Sequence, residues 1–184
     1  MEERTDEPRE RMSVQLLSHI EGLGDGSSYT GQIFDLVDHS SFFAEFTRED
    51  IELLAGYMHV YRAQAGQAVI REGDDGDFML LIVSGTVDIF KSSAEGEQQL
   101  MSSVGPGMTI GEMSMIDGEP RFATCIATDT TVFAVLTRDD MAKIILERPS
   151  LGTKILIVLV TMLTHRLRQT SARLLHYMER PLAF

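Results

Sequence analysis

The chain has 184 residues, enough for one domain with a sizeable core. Its net charge of −12 excludes a broad surface of clustered Lys and Arg for nucleic-acid phosphates, and its single cysteine, Cys125, excludes a disulfide framework or a four-thiolate metal centre. Met1–Glu10 lacks the apolar stretch of an export signal, and the longest apolar run, Ile155–Val160, is too short to span a bilayer, so the expectation is a soluble, cytoplasmic, acidic protein.

After the polar start, Met12, Leu16, Ile20 and Leu23 recur at helical spacing and predict a short amphipathic helix. GLGDGSSYTG, Gly22–Gly31, reads as a flexible linker, which makes residues 1–31 an extension and 32–184 the domain. A second helical patch begins near Ile33 with Phe34 and Val37. TRED, Thr47–Asp50, has the spacing of a capping box, and Ile51, Leu54 and Met58 continue that helix.

From roughly residue 58 to 137 the pattern changes to short β-rich runs between glycines. These are VYRA, AVIRE, FMLLIVS, TVDIF, QLMSSV, TCIAT and TVFAVL. Such runs predict an all-β sandwich or small barrel. A second box, TRDD at Thr137–Asp140, precedes Met141, Ile144 and Ile145. A long helix is expected from Ser150, after Pro149, to Met178, so that C-terminal helices cover 138–178.

Several motifs carry no chemistry. GDDGD, Gly73–Asp77, lacks calcium-loop spacing and reads as a turn. GPGMTIG has neither dinucleotide-fingerprint nor P-loop spacing. His19, His39, His59, His165 and His176 never fall at metal-ligand spacing and are read as surface or helix-end residues. Cys125 lies in an apolar strand as a small core residue. With no nucleophile–base arrangement and no carboxylate pair, neither an enzyme nor a metal or other cofactor is expected.

GEMSMIDGEPRFAT, Gly111–Thr124, passes this filter. Gly111 permits close backbone approach, and EMSM suits a single helical turn whose free amides cradle an anion. Pro120 fixes the chain ahead of Arg121, whose planar guanidinium suits phosphate. Glu112 offers an acceptor to a sugar hydroxyl. The residues alone leave two readings open: a site for an anion and its sugar, or a Glu112–Arg121 ion pair bridging a loop.

With GMTIGEMSM followed by IDGEPRFAT, and AGQAVIREGDDGDFMLLIVSGTVDIF upstream, the stretch from Ile33 to Leu167 resembles the cyclic-nucleotide-binding domain family. That family includes bacterial catabolite-activator-type regulators and regulatory subunits of cyclic-AMP-dependent kinase. The resemblance implies a mainly β fold: an antiparallel, jelly-roll-like β-roll with flanking helices and a long C-terminal helix. It implies that Arg121 binds the phosphate and Glu112 the ribose 2′-OH. Gly111, Met113, Ser114, Phe122 and Ala123 would lie around sugar and phosphate, and Ile89, Met101 and Ile110 would line the pocket. Members usually carry Ala, Ser or Thr after the arginine, where this chain has Phe122. The missing Thr weighs against cyclic GMP and leaves cyclic AMP as the expected ligand, while the ring raises the prospect of a narrowed pocket. DNA-binding members continue into a helix-turn-helix beyond the long helix; the chain ends at Phe184, so no DNA reader is expected, and no membrane partner. The expected function is a stand-alone regulatory module that acts as a ligand-dependent switch on an unidentified protein. The alternative is an interaction or structural module of the same fold that no longer binds nucleotide.

In the last helix Leu156, Val160, Leu163, Leu167, Thr170, Leu174 and Tyr177 alternate spacings of four and three, the seam of a two-stranded coiled coil. The seam predicts a parallel homodimer. Thr170 and Ser171 resemble a Thr-Ser pair that contacts adenine in dimeric members, with Arg166 as a rival base contact.

Overall fold

The computed structural model describes residues 17–37 and 40–178, without the side chain of Tyr177. Met12, Leu16, His39 and the Tyr177 end of the seam therefore lie outside the described residues. Two antiparallel sheets face each other. One has five strands in the order β1-β2-β9-β4-β7 and the other four, in the order β3-β8-β5-β6. The strands are β1 (Glu21–Asp25), β2 (His59–Ala63), β3 (Ala68–Ile70), β4 (Phe78–Ser84), β5 (Val87–Ser92), β6 (Gln98–Val104), β7 (Thr109–Ile110), β8 (Thr124–Ala127) and β9 (Thr131–Thr137). Among the described residues five α-helices accompany them: α1 (Thr30–Phe34), α2 (Arg48–Ala55), α3 (Glu112–Asp117), α4 (Arg138–Glu147) and α5 (Pro149–Met178).

The continuous apolar run of β4 follows from its place inside the five-stranded sheet. Phe78, Leu80 and Ile82 face the space between the sheets, where Val69, Ile70, Val87, Cys125 and Phe133 pack. Met79, Leu81 and Val83 face a second cluster with Ile51 and Leu54 of α2, Ile144 of α4, and Leu151, Ile155 and Leu159 of α5. Strand alternation thus leaves no polar side on β4. Phe42, Phe43 and Phe46 interlock in the second cluster, with ring centroids 5.0 to 5.6 Å apart.

The caps behave as their sequences require. The Thr47 and Asp50 side chains form a reciprocal box at the start of α2, and Thr137 Oγ1 accepts from Asp140 N ahead of α4. Lys154 of α5 reaches back to Asp50 at 2.5 Å, tying the last helix to α2. Pro149 opens α5 where no amide partner is needed, and Gly152 lets α5 approach α4: a Cβ there would lie 2.9 Å from Ile145 Cα.

The expected linker is a correction. Glu21–Asp25 is strand β1, paired antiparallel with β2 through a register shift between Gly22 and Gly24, and Gly26–Tyr29 is a 3-10 turn leading into α1. Leu23, expected on a helix, lies in β1. The reason is tertiary: the open edge of β2 supplies hydrogen-bond partners that a local pattern does not reveal. The close approach at Gly26, where a Cβ would lie 2.4 Å from Ala55 O, seats the turn on α2. Two-residue β7 is also absent from the sequence reading. α5 is long and apolar enough, by length and composition, to cross a membrane, which the six-residue apolar run conceals. Leu151, Ile155, Val158 and Leu159 on it are packed in the core.

Candidate functional site

β7 ends at Ile110 and the chain turns directly into α3 at Gly111, which has φ +81°. That conformation suits glycine, and so does the space: a Cβ would lie 2.7 Å from Arg121 Nη1 and 2.9 Å from Ile70 Cδ1. α3 is longer than the single turn expected, running six residues to Asp117. Arg138 holds its far end, donating to Met115 O at 2.8 Å and Ser114 O at 2.6 Å.

Glu112, the first residue of α3, is 1% exposed, and Arg121, after Pro120, is 4% exposed. The Arg121 backbone is zipped to the Gly73–Asp77 turn: its N–H donates to Asp74 O at 2.8 Å and its carbonyl accepts from Gly73 N at 2.9 Å. Its guanidinium lies over the Phe78 ring, 4.3 Å from the centroid, and Nη1 donates to Gly111 O at 2.8 Å. Gly76 is obligatory beside it, because a Cβ would sit 1.9 Å from Arg121 Nε. Burial lowers the Arg121 pKa to about 10, so the group stays cationic at neutral pH.

Glu112 and Arg121 do not pair with each other. Among the described residues, the ion-pair partner of Glu112 is Arg166 of α5, through Nη1 and Oε1. Arg166 Nη2 also donates to Thr109 O at 2.8 Å. Among the described residues three buried side-chain atoms have no hydrogen-bond partner: Thr109 Oγ1, Glu112 Oε2 and Arg121 Nη2. Buried polar atoms are normally satisfied, so two orphans on neighbouring ionic groups require explanation. Burial raises the Glu112 pKa, against the lowering effect of Arg166. The arrangement offers one acceptor and one cationic donor to a molecule carrying a hydroxyl and an anionic oxygen.

Of the other expected residues, Ile110 and Ala123 are buried and Ile89 packs against the core between the sheets. Ser114 is buried, with its carbonyl occupied by Arg138. Met101, Met113 and Phe122 are exposed. Thr170 and Ser171 are also exposed, about one helical turn beyond Arg166, which pairs with Glu112 of α3. Sequence reasoning missed Arg138, Gly76 as the gap that admits Arg121, and a second cluster at Phe122. There Lys91 Nζ donates to Phe122 O at 2.8 Å, lies 4.4 Å from the Phe122 ring centroid, and pairs with Glu72 at 2.6 Å. A lone Lys in a strand gives no local signal of such a role. A groove of about 1100 Å³ runs along α5, lined by Ile157, Thr161, His165 and Arg166 together with Met108.

A family profile described as cyclic nucleotide-binding domain matches residues 61–148. A crystal structure of a cyclic nucleotide-binding domain from Methylobacillus flagellatus KT superimposes with a TM-score of 0.79 at 38% identity, covering 91% of this chain and 94% of that one. The cyclic AMP receptor protein of Thermus thermophilus is 28% identical over 135 residues, 73% of this chain and 61% of its own length. The cAMP-dependent protein kinase regulatory subunit of Yarrowia lipolytica is 28% identical over 115 residues, 62% of this chain and 29% of its own length. The chain thus spans less than two thirds of the length of these two curated relatives.

Proposed function

The chain belongs to the cyclic nucleotide-binding domain family, and we propose that it is a regulatory module that binds cyclic AMP in preference to cyclic GMP. The observation that carries this reading is the pair of orphaned buried atoms, Glu112 Oε2 and Arg121 Nη2. A ribose 2′-OH donating to the first and a cyclic phosphate oxygen accepting from the second satisfy both at once. Leaving such groups unmet costs roughly 1–3 kcal/mol each, more when charged. An ion pair that served only the fold would bring Glu112 and Arg121 together. The preference for cyclic AMP rests on Phe122, which offers no hydroxyl to a guanine.

The proposed switch runs through the same carboxylate. Arg166 holds Oε1 of Glu112 and leaves Oε2 free. A hydroxyl donated to Oε2 favours the ionised carboxylate and so strengthens its hold on Arg166. Ligand occupancy is thereby linked to the docking of α5. The exposed seam residues Leu156, Val160, Leu167 and Leu174 support a homodimer through that helix. Calorimetric titration of the purified protein with cyclic AMP, cyclic GMP and cyclic dinucleotides tests the reading. Cyclic AMP binding tightest supports it, and no heat with any of them overturns it.

A further inference from the structure

We infer that Lys91 is a positioning residue for the anion-facing end of the 111–124 segment, fixing the Phe122–Ala123 peptide and parking the Phe122 ring. The inference rests on the nucleotide reading above. On β5, Val87, Ile89 and Lys91 share one face. Val87 is buried between the sheets and Ile89 packs against the same core, so Lys91 brings an ammonium to the end of an apolar row. There it meets three groups: Glu72 Oε1 at 2.6 Å, the Phe122 carbonyl at 2.8 Å and the Phe122 ring at 4.4 Å. The other Glu72 oxygen accepts from Ser92 N at 2.9 Å, so the carboxylate that orients Lys91 is itself anchored.

Two consequences follow for the residues beside Arg121. A planar trans peptide sets its C=O and N–H antiparallel. With the Phe122 carbonyl on Lys91, the Ala123 N–H points the opposite way, away from the ammonium. The Arg121 backbone is already held from the other side by Asp74 and Gly73, so two successive residues are clamped by two separate elements. A ring next to an arginine that must accept an anion also has to be kept clear of it. The Phe122 ring is drawn onto Lys91 and is 52% exposed, whereas Arg121 turns inward onto Phe78. Glu72 is ionised, its pKa lowered to about 2 by Lys91 and the Ser92 amide, and it neutralises the ammonium locally. Lys91 therefore acts by geometry rather than by adding a charge for the ligand.

The test compares cyclic AMP with its two phosphorothioate diastereomers, in which sulfur replaces one or the other exocyclic oxygen. Lys91→Met is expected to lower cyclic AMP affinity about tenfold and to narrow the preference between the diastereomers, with only a modest fall in Tm from the lost Glu72 pair. Lys91→Arg, which keeps a cationic donor, restores both. Phe122→Leu keeps the carbonyl and preserves the diastereomer preference. Wild-type affinity and preference in Lys91→Met overturn the inference. So does a uniform loss for all three ligands accompanied by a large fall in Tm, which marks a purely structural lysine. Failure of the wild type to bind any of the three overturns the nucleotide reading itself, and the inference with it.

Discussion

Arg166 closes onto Glu112 from 54 residues away in sequence, so the last helix and the first residue of α3 share one buried carboxylate. Arg166 is partly exposed while Glu112 is sealed from solvent. The carboxylate is therefore the fixed member of the pair and the helix the member free to respond. Its second oxygen has no hydrogen-bond partner among the described residues.

Coupling through this pair is reciprocal. Arg166→Ala is expected to weaken cyclic AMP binding by roughly 5- to 150-fold, the usual span of such linkage. The same variant should loosen α5, seen as faster amide exchange across 160–170 that cyclic AMP no longer slows. Unchanged affinity and unchanged exchange would uncouple helix and site.

The two glutamates at the site predict opposite responses to pH. Glu72 is lowered from an ordinary 4.5 to about 2, so its contribution to stability is present above 4.5 and is lost as pH falls towards about 2. Glu112 is raised, so its protonated form favours the folded chain; that contribution is complete below 4.5 and is lost as pH rises through the raised value. Urea midpoints measured between about pH 3 and about pH 7 check the signs. Glu72→Gln should lose less stability than wild type on acidification, and Glu112→Gln should gain relative to wild type at neutral pH. The reverse order for either variant contradicts its assignment.

The seam on α5 predicts a dimer. Leu167 is 67% exposed, and Val160 and Leu174 are similarly open. α5 also carries no acidic residue between Pro149 and Met178 in an otherwise acidic chain. Light scattering at tens of micromolar should give twice the monomer mass. Leu163→Asp/Leu167→Asp should return it to monomer, since charges in an apolar seam have no partner. A wild-type monomer refutes the dimer; a dimeric double mutant moves the interface elsewhere.

Much of this was legible in the residues. The seven strands from VYRA to TVFAVL are short apolar or alternating runs bounded by turns, and each is a strand in the fold. Glu112 and Arg121 stood out because a carboxylate and a guanidinium interrupt a half-buried stretch. β1 did not, because EGLGD has the composition of a linker and becomes a strand only when the edge of β2 receives it. Lys91, Glu72, Arg138 and Gly76 escaped for a related reason. Each acts on a residue 19 to 45 positions away in sequence, where no local spacing reports the contact. Arg166 was legible only as a contact for a base, because its carboxylate partner is brought to it by packing.

The central claim is that Arg121 receives the phosphate of a cyclic nucleotide, and titration calorimetry of cyclic AMP into wild type and Arg121→Ala tests it most directly. Removing one side of a buried charge contact costs about 2–5 kcal/mol, roughly a 30-fold to several-thousand-fold loss. Arg121→Lys should also bind more weakly, because its ammonium lacks the planar fork and the fit over Phe78. Binding by wild type that falls in this range in Arg121→Ala is the predicted result; equal affinity in the two proteins would contradict the account.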